Sequence, residues 1–482
     1  MFPRVHFGMI VSAIRQDDAD GPQVEAFAFL ALSSKDTHLS RDPLQACPRP
    51  CAFNPVAEMK LFLLLCSLVT IISAVNDRTE IIRNVQNQHS HSVSLNRQRK
   101  HNVQPKQPFP FLPEKSSLHI NRLSDEPKVS NATETGFSSL RFDGVNYLTS
   151  ITIGAGSTAR TFNLVVDLFD SETWVFSDQL PANQGGVQNR TLYQAGETST
   201  STIVPGETWD QTWLAAIVNV AGGVYTDTIN LGGLSISKAT VEAVNSTALN
   251  LTDISYDGAL GLSTIPTSSS PISMPRLIDQ IANSTNIQLP VFTTLFTRLT
   301  EPPGFITFGY INSTLVDTDI KFTRVLSAAD SRNAKFWAFA SEFAIVNKKT
   351  FDLPGRLAYV TSTFPGITTD PTVAEAIYEV ILGSRFIPDE GYVFPASTTH
   401  FPNVTFPVGT SSEITLQGPA DFILGPSSLE GFVIGTIQAG GPVGATLLGT
   451  RWLQKVYAVF DIGMTGRGNL RFGVVPRRPL DG

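Results

Sequence analysis

One arrangement occurs twice in this chain. A short apolar run ends on a triplet that opens with a polar residue, and well downstream an apolar pair followed by glycine returns. Asp167-Leu168-Phe169 is followed by Tyr256-Asp-Gly-Ala-Leu-Gly-Leu262, and Ser362-Thr363-Phe364 by Thr446-Leu-Leu-Gly-Thr-Arg-Trp452. Two copies of one supersecondary unit would produce this echo, which constrains the chain to two related lobes. The surrounding pattern is that of strands. Tyr147–Gly154, Phe162–Phe169, Phe305–Ile311, Tyr457–Ile462 and Leu470–Val475 carry β-branched and aromatic residues bounded by turns. Two short helices are expected at Pro275–Ala282 and Pro371–Leu382, the second with Asp370 as N-cap and Pro371 in the first helical position. With 36 glycines, 31 prolines and 42% apolar residues in 482, the chain can bury a large core between many short strands. The fold class read from this is all-β and two-lobed, with an N-terminal lobe over 139–320 and a C-terminal lobe over 321–482.

The region before the lobes reads differently. Met59-Lys60, an apolar run from Leu61 to Ile72 and then Ser73-Ala74 have the layout of a secretion signal over 59–74, too short to span a bilayer. Residues 1–58 are read as an upstream extension, with Met59 as the working start. Residues 75–138 are polar, basic around Arg97–Lys100 and proline-rich at 103–113, the composition of a flexible prosegment or linker. Cys47, Cys51 and Cys66 all lie before Ser73, so a chain processed there carries no disulfide. Seven Asn-x-Ser/Thr triplets, at Asn131, Asn189, Asn245, Asn250, Asn283, Asn312 and Asn403, all follow the signal-like run and are read as a glycosylated, surface-exposed set.

Several chemistries lack parts. The net charge of −7 has no basic patch to suit nucleic acid. Six of the seven histidines precede residue 120, leaving His400 alone in the lobes, so a zinc site and a Ser-His-Asp triad both lack parts. No glycine-rich phosphate loop opens a helix. No metal or cofactor is expected. Asp167 stands out because a carboxylate closing an apolar strand needs a reason to be there.

These residues together resemble the pepsin-like aspartic peptidase family, peptidase A1. Ile153-Gly154, Val165-Val166-Asp167 and Trp174-Val175 sit at the family's spacing for its first catalytic segment. Tyr256–Leu262 is similar to the family's Phe-Asp-Gly-Ile-Leu-Gly-Leu, Val224–Gly233 to the strand after its flap, and Leu447–Thr450 with Lys455–Asp461 to its C-terminal segments. The resemblance spans roughly 139–478. It implies two β-rich lobes flanking a cleft, each giving one aspartate to a dyad that shares a proton and activates a water.

The resemblance breaks at the chemistry. After Asp167 the family's Thr-Gly-Ser is replaced by Leu168-Phe169-Asp170. Leu168 cannot make the threonine's hydrogen bond to the other lobe, and Phe169 adds bulk where glycine admits backbone N–H groups to the carboxylate. Counting back from Pro371 puts Ser362 in the second aspartate's place, with Thr363 and Phe364 after it; a loop one residue longer puts Thr361 there. Neither is an acid. The flap, Thr212–Gly223, has no tyrosine at its tip, with Trp213 a candidate lid or an ordinary buried aromatic, and Thr450 replaces the aspartate after the last glycine.

The functional reading is a secreted or secretory-pathway monomer, catalytically inactive, that binds a peptide or protein through its cleft, with no nucleic-acid partner and no membrane span in the mature chain. Two alternatives stay open. One is an active endopeptidase built on Asp167 with Ser362 or Asp370. The other is a glycosylated structural or recognition protein whose cleft has closed around Phe169 and Phe364.

Overall fold

The computed structural model describes residues 134–213, 218–263, 274–316, 320–326, 337–410, 412–440, 445–463 and 470–477. The signal-like run and nearly all of the expected prosegment lie outside these residues, as do Asn131 and the three cysteines. The first strand, Gly136–Phe142, opens within the stretch expected as linker. Its alternation of buried and exposed residues marks a strand with one face on the core.

A thirteen-stranded sheet carries the N-terminal half. In it, the hairpin strands Tyr147–Ile153 and Arg160–Asp167 pair antiparallel, and Arg160–Asp167 then runs parallel to Gly258–Gly261. Gly258–Gly261 pairs with Trp174–Phe176, which lies parallel to Leu234–Thr247. Beyond it stand the long strands Val218–Leu231 and Thr202–Trp213 at the sheet edge. At the other end of the same sheet, Val291–Leu295 pairs with Val456–Asp461, so strands from the C-terminal end complete the sheet that the N-terminal half begins. Long-range pairing of this kind joins the two halves through backbone hydrogen bonds.

The C-terminal half adds a five-stranded sheet and two four-stranded sheets. Its helices are short. Leu277–Ala282, in the N-terminal half, and Pro371–Glu379 fall where the sequence placed helices. Asp370 accepts from Thr372 N–H at 2.9 Å, and Pro371 follows it in the first turn, where its missing N–H costs nothing. Among the described residues no helix is long and apolar enough to cross a membrane.

The echo seen in the sequence is a hydrogen-bonding repeat. In the N-terminal half Val166 pairs with Leu260 and Asp167 with Gly261, while Trp174 faces Ala259. In the C-terminal half Val360 pairs with Leu448, Thr361 N–H donates to Leu448 O at 3.0 Å, and Thr368 faces Leu447. Superposing the two Leu-Gly segments matches Leu260 with Leu448 and Gly261 with Gly449. Both glycines are required by close approach: a Cβ on Gly261 would lie 2.4 Å from Glu172 O, and one on Gly449 2.1 Å from Phe364 O. One apolar core takes in residues of both halves, including Leu168, Leu262, Ile367 and Leu448.

Candidate active site

The register of the repeat fixes which residue mirrors Asp167. It is Thr361, one residue before the Ser362 obtained by counting from Pro371. Trp174 follows Asp167 by the same interval at which Thr368 follows Thr361, and both pair at the equivalent position of their Leu-Gly strands. The count from Pro371 was one short because the helix start is set by the Asp370 cap, which is not part of the repeat.

Ser362 holds the next position, matching Leu168, and its hydroxyl spans the two halves. Ser362 Oγ donates to Val166 O at 2.5 Å and accepts from Leu168 N–H at 3.0 Å. One buried hydroxyl thus satisfies two backbone groups of the opposite loop, which would otherwise be costly to bury. Leu168 makes no reciprocal bond with its side chain. Its side chain is fully buried in the shared apolar core. Full burial of a leucine is worth about 1.5–3 kcal/mol, so packing stands where a second hydroxyl bond would be.

Asp167 is 0% exposed. Its Oδ1 accepts from Phe169 N–H at 2.8 Å and from Asp170 N–H at 3.0 Å. The expectation that Phe169 would keep backbone N–H groups away from the carboxylate is therefore corrected. Phe169 does not adopt a positive φ, so this turn does not need glycine, and its N–H reaches the carboxylate while the residue itself is half-buried. Asp170 is also buried, its Oδ1 accepting from Ser171 N–H at 2.7 Å.

Across the repeat, Thr361 is buried and its Oγ1 lies 3.2 Å from Thr363 Oγ1 and accepts from Thr363 N–H at 3.3 Å. Thr363 is half-buried and Phe364 buried, the Phe364 carbonyl accepting from Thr450 N–H at 2.8 Å. Asp370 is not brought to this site. Its Oδ2 takes Arg356 NH1 at 3.1 Å while Oδ1 takes Thr372 N–H and hydroxyl. Burial pushes the Asp370 carboxyl up, but the Thr372 hydrogen bonds and the Arg356 charge outweigh it and hold the group below the usual carboxylate range. Trp213 ends its strand, paired with Val218, and its side chain lies outside the described residues.

The sequence reading missed a second pair of acids beside this site. Glu172, two residues past Asp170, and Glu242, on the strand that pairs with Trp174, are both essentially inaccessible to solvent. Burial, and then the neighbouring Glu172 charge, hold the Glu242 carboxyl well above its usual range. The alternation of Leu234–Thr247 could have flagged Glu242, because Val241, Ala243 and Val244 around it are all apolar. Among the described residues no group of histidine, cysteine or acidic side chains is arranged to hold a metal. His400 is exposed, with its ring 3.0 Å from Thr399 Oγ1. Of the glycosylation candidates, Asn245, Asn250, Asn283 and Asn403 are exposed and Asn312 half-buried, while the Asn189 side chain is outside the described residues.

Comparison with known proteins agrees with this geometry. A family model for eukaryotic aspartyl proteases matches residues 146–468. The chain is similar to endothiapepsin of Cryphonectria parasitica, 31% identical over 342 residues covering 70% of this chain and 76% of that protein. It is also similar to penicillopepsin-1 of Penicillium janthinellum, 27% identical over 320 residues covering 65% and 91% of the two chains. Podosporapepsin of Podospora anserina is 26% identical over 366 residues, 73% of this chain and 81% of that one. With a nearly all-β body, a repeated strand-loop unit and a family match over most of its length, the chain belongs to the eukaryotic aspartyl proteases, the pepsin-like A1 family.

Proposed function

We propose that this protein is a non-hydrolytic member of its family, a secreted and glycosylated homologue that binds an extended peptide or protein segment between its lobes without cutting it. The observation that carries the reading is Thr361. Shared-proton chemistry needs two carboxyls at mirrored positions, and the mirror of Asp167 is an alcohol hydrogen-bonded to Thr363. Threonine can hold a water but has no pKa near working pH, and each positioned acid or base is worth roughly 10²–10⁴ in rate. Asp370, the first acid after Thr361 in sequence, is spent on a helix cap and an ion pair. Peptide binding is supported by family membership and by the hairpin Thr202–Trp213 with Val218–Leu231, which falls where the family's flap is expected. Secretion is supported by the signal-like run over 59–74 and the exposed sequons.

A second reading, a recognition protein with a closed centre, is favoured by the burial of Asp167, Thr361 and Phe364 together. The two separate in one experiment. A diverse peptide library is incubated with the protein from acidic to neutral pH, cleavage products are sought by mass spectrometry, and intact peptides retained on immobilised protein are identified. Retained, uncut peptides support the proposal, and the absence of both products and retained peptides favours the closed form. Pepstatin-sensitive products that vanish in Asp167→Asn would sink both.

A further inference from the structure

Away from the Asp167 loop, four cations gather around two acids. Asp421, fully buried, is shared by Arg298 NH2 and by Lys455 Nζ at 2.9 Å and also accepts from Gln417 N–H at 2.8 Å. Glu301 accepts from Arg298 N–H at 2.7 Å and from Arg477 NH1 at 2.8 Å. These partners leave Arg451 over. No carboxylate of the described residues lies within 4.0 Å of its guanidinium, and its one side-chain hydrogen bond, to Gln454 Oε1, is long at 3.5 Å. Arg451 is half-buried, and it lies against the Arg298 segment, because Tyr147 Oη accepts from Gln454 Nε2 at 2.6 Å and donates to Thr297 O at 2.5 Å. Burial first, and then the Arg298 charge, pulls the Arg451 guanidinium below its usual range, outweighing Tyr147 and the Asp421 charge, which act the other way. The Nε of Arg298 is buried and has no hydrogen-bond partner among the described residues.

A guanidinium is costly to bury unless it is paired, and two of them side by side raise that cost. A solvated surface arginine would not need an explanation. Arg451 differs, because it is drawn into the structure beside a like charge whose own carboxylate is already shared. What relieves both is an anion that accepts from two planar forks at once.

We propose that Arg451 and Arg298 form a binding site for a doubly charged tetrahedral oxyanion, of the phosphate or sulfate class, at the junction between the segment following Val291–Leu295 and the short helix Thr450–Leu453. A dianion matches two guanidinium charges, whereas a monocarboxylate matches one. The bound anion would tie Arg298, from the N-terminal half, to Arg451, from the C-terminal half, alongside the direct Arg298–Asp421 bond. The site is separate from Asp167 and Thr361, and its test reads binding, so it stands or falls independently of the loss of hydrolysis.

The test is a thermal melt of the full chain in rising sodium phosphate or sulfate, against sodium chloride and acetate at matched ionic strength. The expected result is a saturable rise in Tm with phosphate and sulfate, with acetate weaker by about tenfold or more. Arg451→Met, which keeps the aliphatic stem and removes the uncompensated charge, should leave Tm in chloride equal to or above that of wild type and weaken phosphate binding by about tenfold or more. Should that variant fail to fold, Arg451→Lys serves, since it keeps the charge but loses the fork and should still bind more weakly than wild type. Phosphate that tracks chloride, acetate that equals phosphate, or a folded variant that binds as wild type does would each overturn the proposal.

Discussion

The two loops that meet at the centre of the molecule have diverged in opposite directions. The N-terminal loop, Asp167-Leu168-Phe169, keeps its acid and has given up the hydroxyl beside it. The C-terminal loop, Thr361-Ser362-Thr363, keeps the hydroxyl and has given up the acid. Structure and chemistry are therefore separable at this site. The hydroxyl of Ser362 is enough to join the halves, because one oxygen both donates to Val166 O and accepts from Leu168 N–H. Leucine at 168 then becomes tolerable, since its side chain gains core burial where a polar group would have gained a hydrogen bond. The acid has no such substitute. The Asp167 carboxylate can be held by two backbone N–H groups, but it cannot share a proton with Thr361.

Substitutions on either side of this asymmetry would break or sharpen the comparison. Ser362→Ala should have the largest effect, a loss of about 3 kcal/mol, because it strands one buried backbone donor and one acceptor in the opposite loop. Chemical denaturation would show it, and a loss under ~1 kcal/mol would mean that the hydroxyl does not join the halves. Leu168→Thr installs the missing hydroxyl in the N-terminal loop. Restored symmetry would stabilise the protein, but the buried position of Leu168 points the other way, to a loss of about 2 kcal/mol in the same denaturation experiment.

Further out, the two halves differ in how they treat acids. Asp370 is capped and paired, with its folded pKa held below the ordinary one. Its stabilisation is present above the usual carboxylate pKa and is lost as pH falls through the depressed value. Asp370→Ala should cost about 1–2 kcal/mol at neutral pH, with the difference from wild type shrinking in strong acid. Glu242 behaves in the opposite sense. Its folded form holds the proton more tightly than its unfolded form, so stability falls as pH rises from the usual carboxylate pKa toward the raised one. Glu242→Gln should therefore raise stability at neutral pH by about 1 kcal/mol and make no difference below the usual carboxylate range. Melting curves of both variants across pH would decide it; equal gains for Glu242→Gln at acidic and neutral pH would show that the carboxyl is not held protonated.

Much of the fold was legible because its signals are local. Strand runs such as Tyr147–Ile153 and Val456–Asp461, the Asp370-Pro371 helix start and the two Leu-Gly segments all follow from patterning or steric need within a few residues. The site was legible only in part. That a second acid was missing could be read directly, since neither Thr361 nor Ser362 is one. Which of them mirrors Asp167 could not, because the answer lies in pairing with Leu448, far along the chain, and the nearby landmark Pro371 belongs to a helix rather than to the repeat. The tolerance of Phe169 was hidden for a similar reason. Whether a turn needs glycine depends on its φ, which residue identities do not state. Glu172 and Glu242 went unread because a single acid in a strand is ordinary until two neighbouring segments bring a pair of them out of solvent.

The central claim is that hydrolysis fails for want of a second acid at 361. The most direct measurement compares peptide hydrolysis by wild type and Thr361→Asp in acidic buffer, with pepstatin as control. The account predicts wild-type turnover at the buffer rate and pepstatin-sensitive turnover in Thr361→Asp that disappears when Asp167→Asn is added. Pepstatin-sensitive cleavage by the wild-type protein would contradict it.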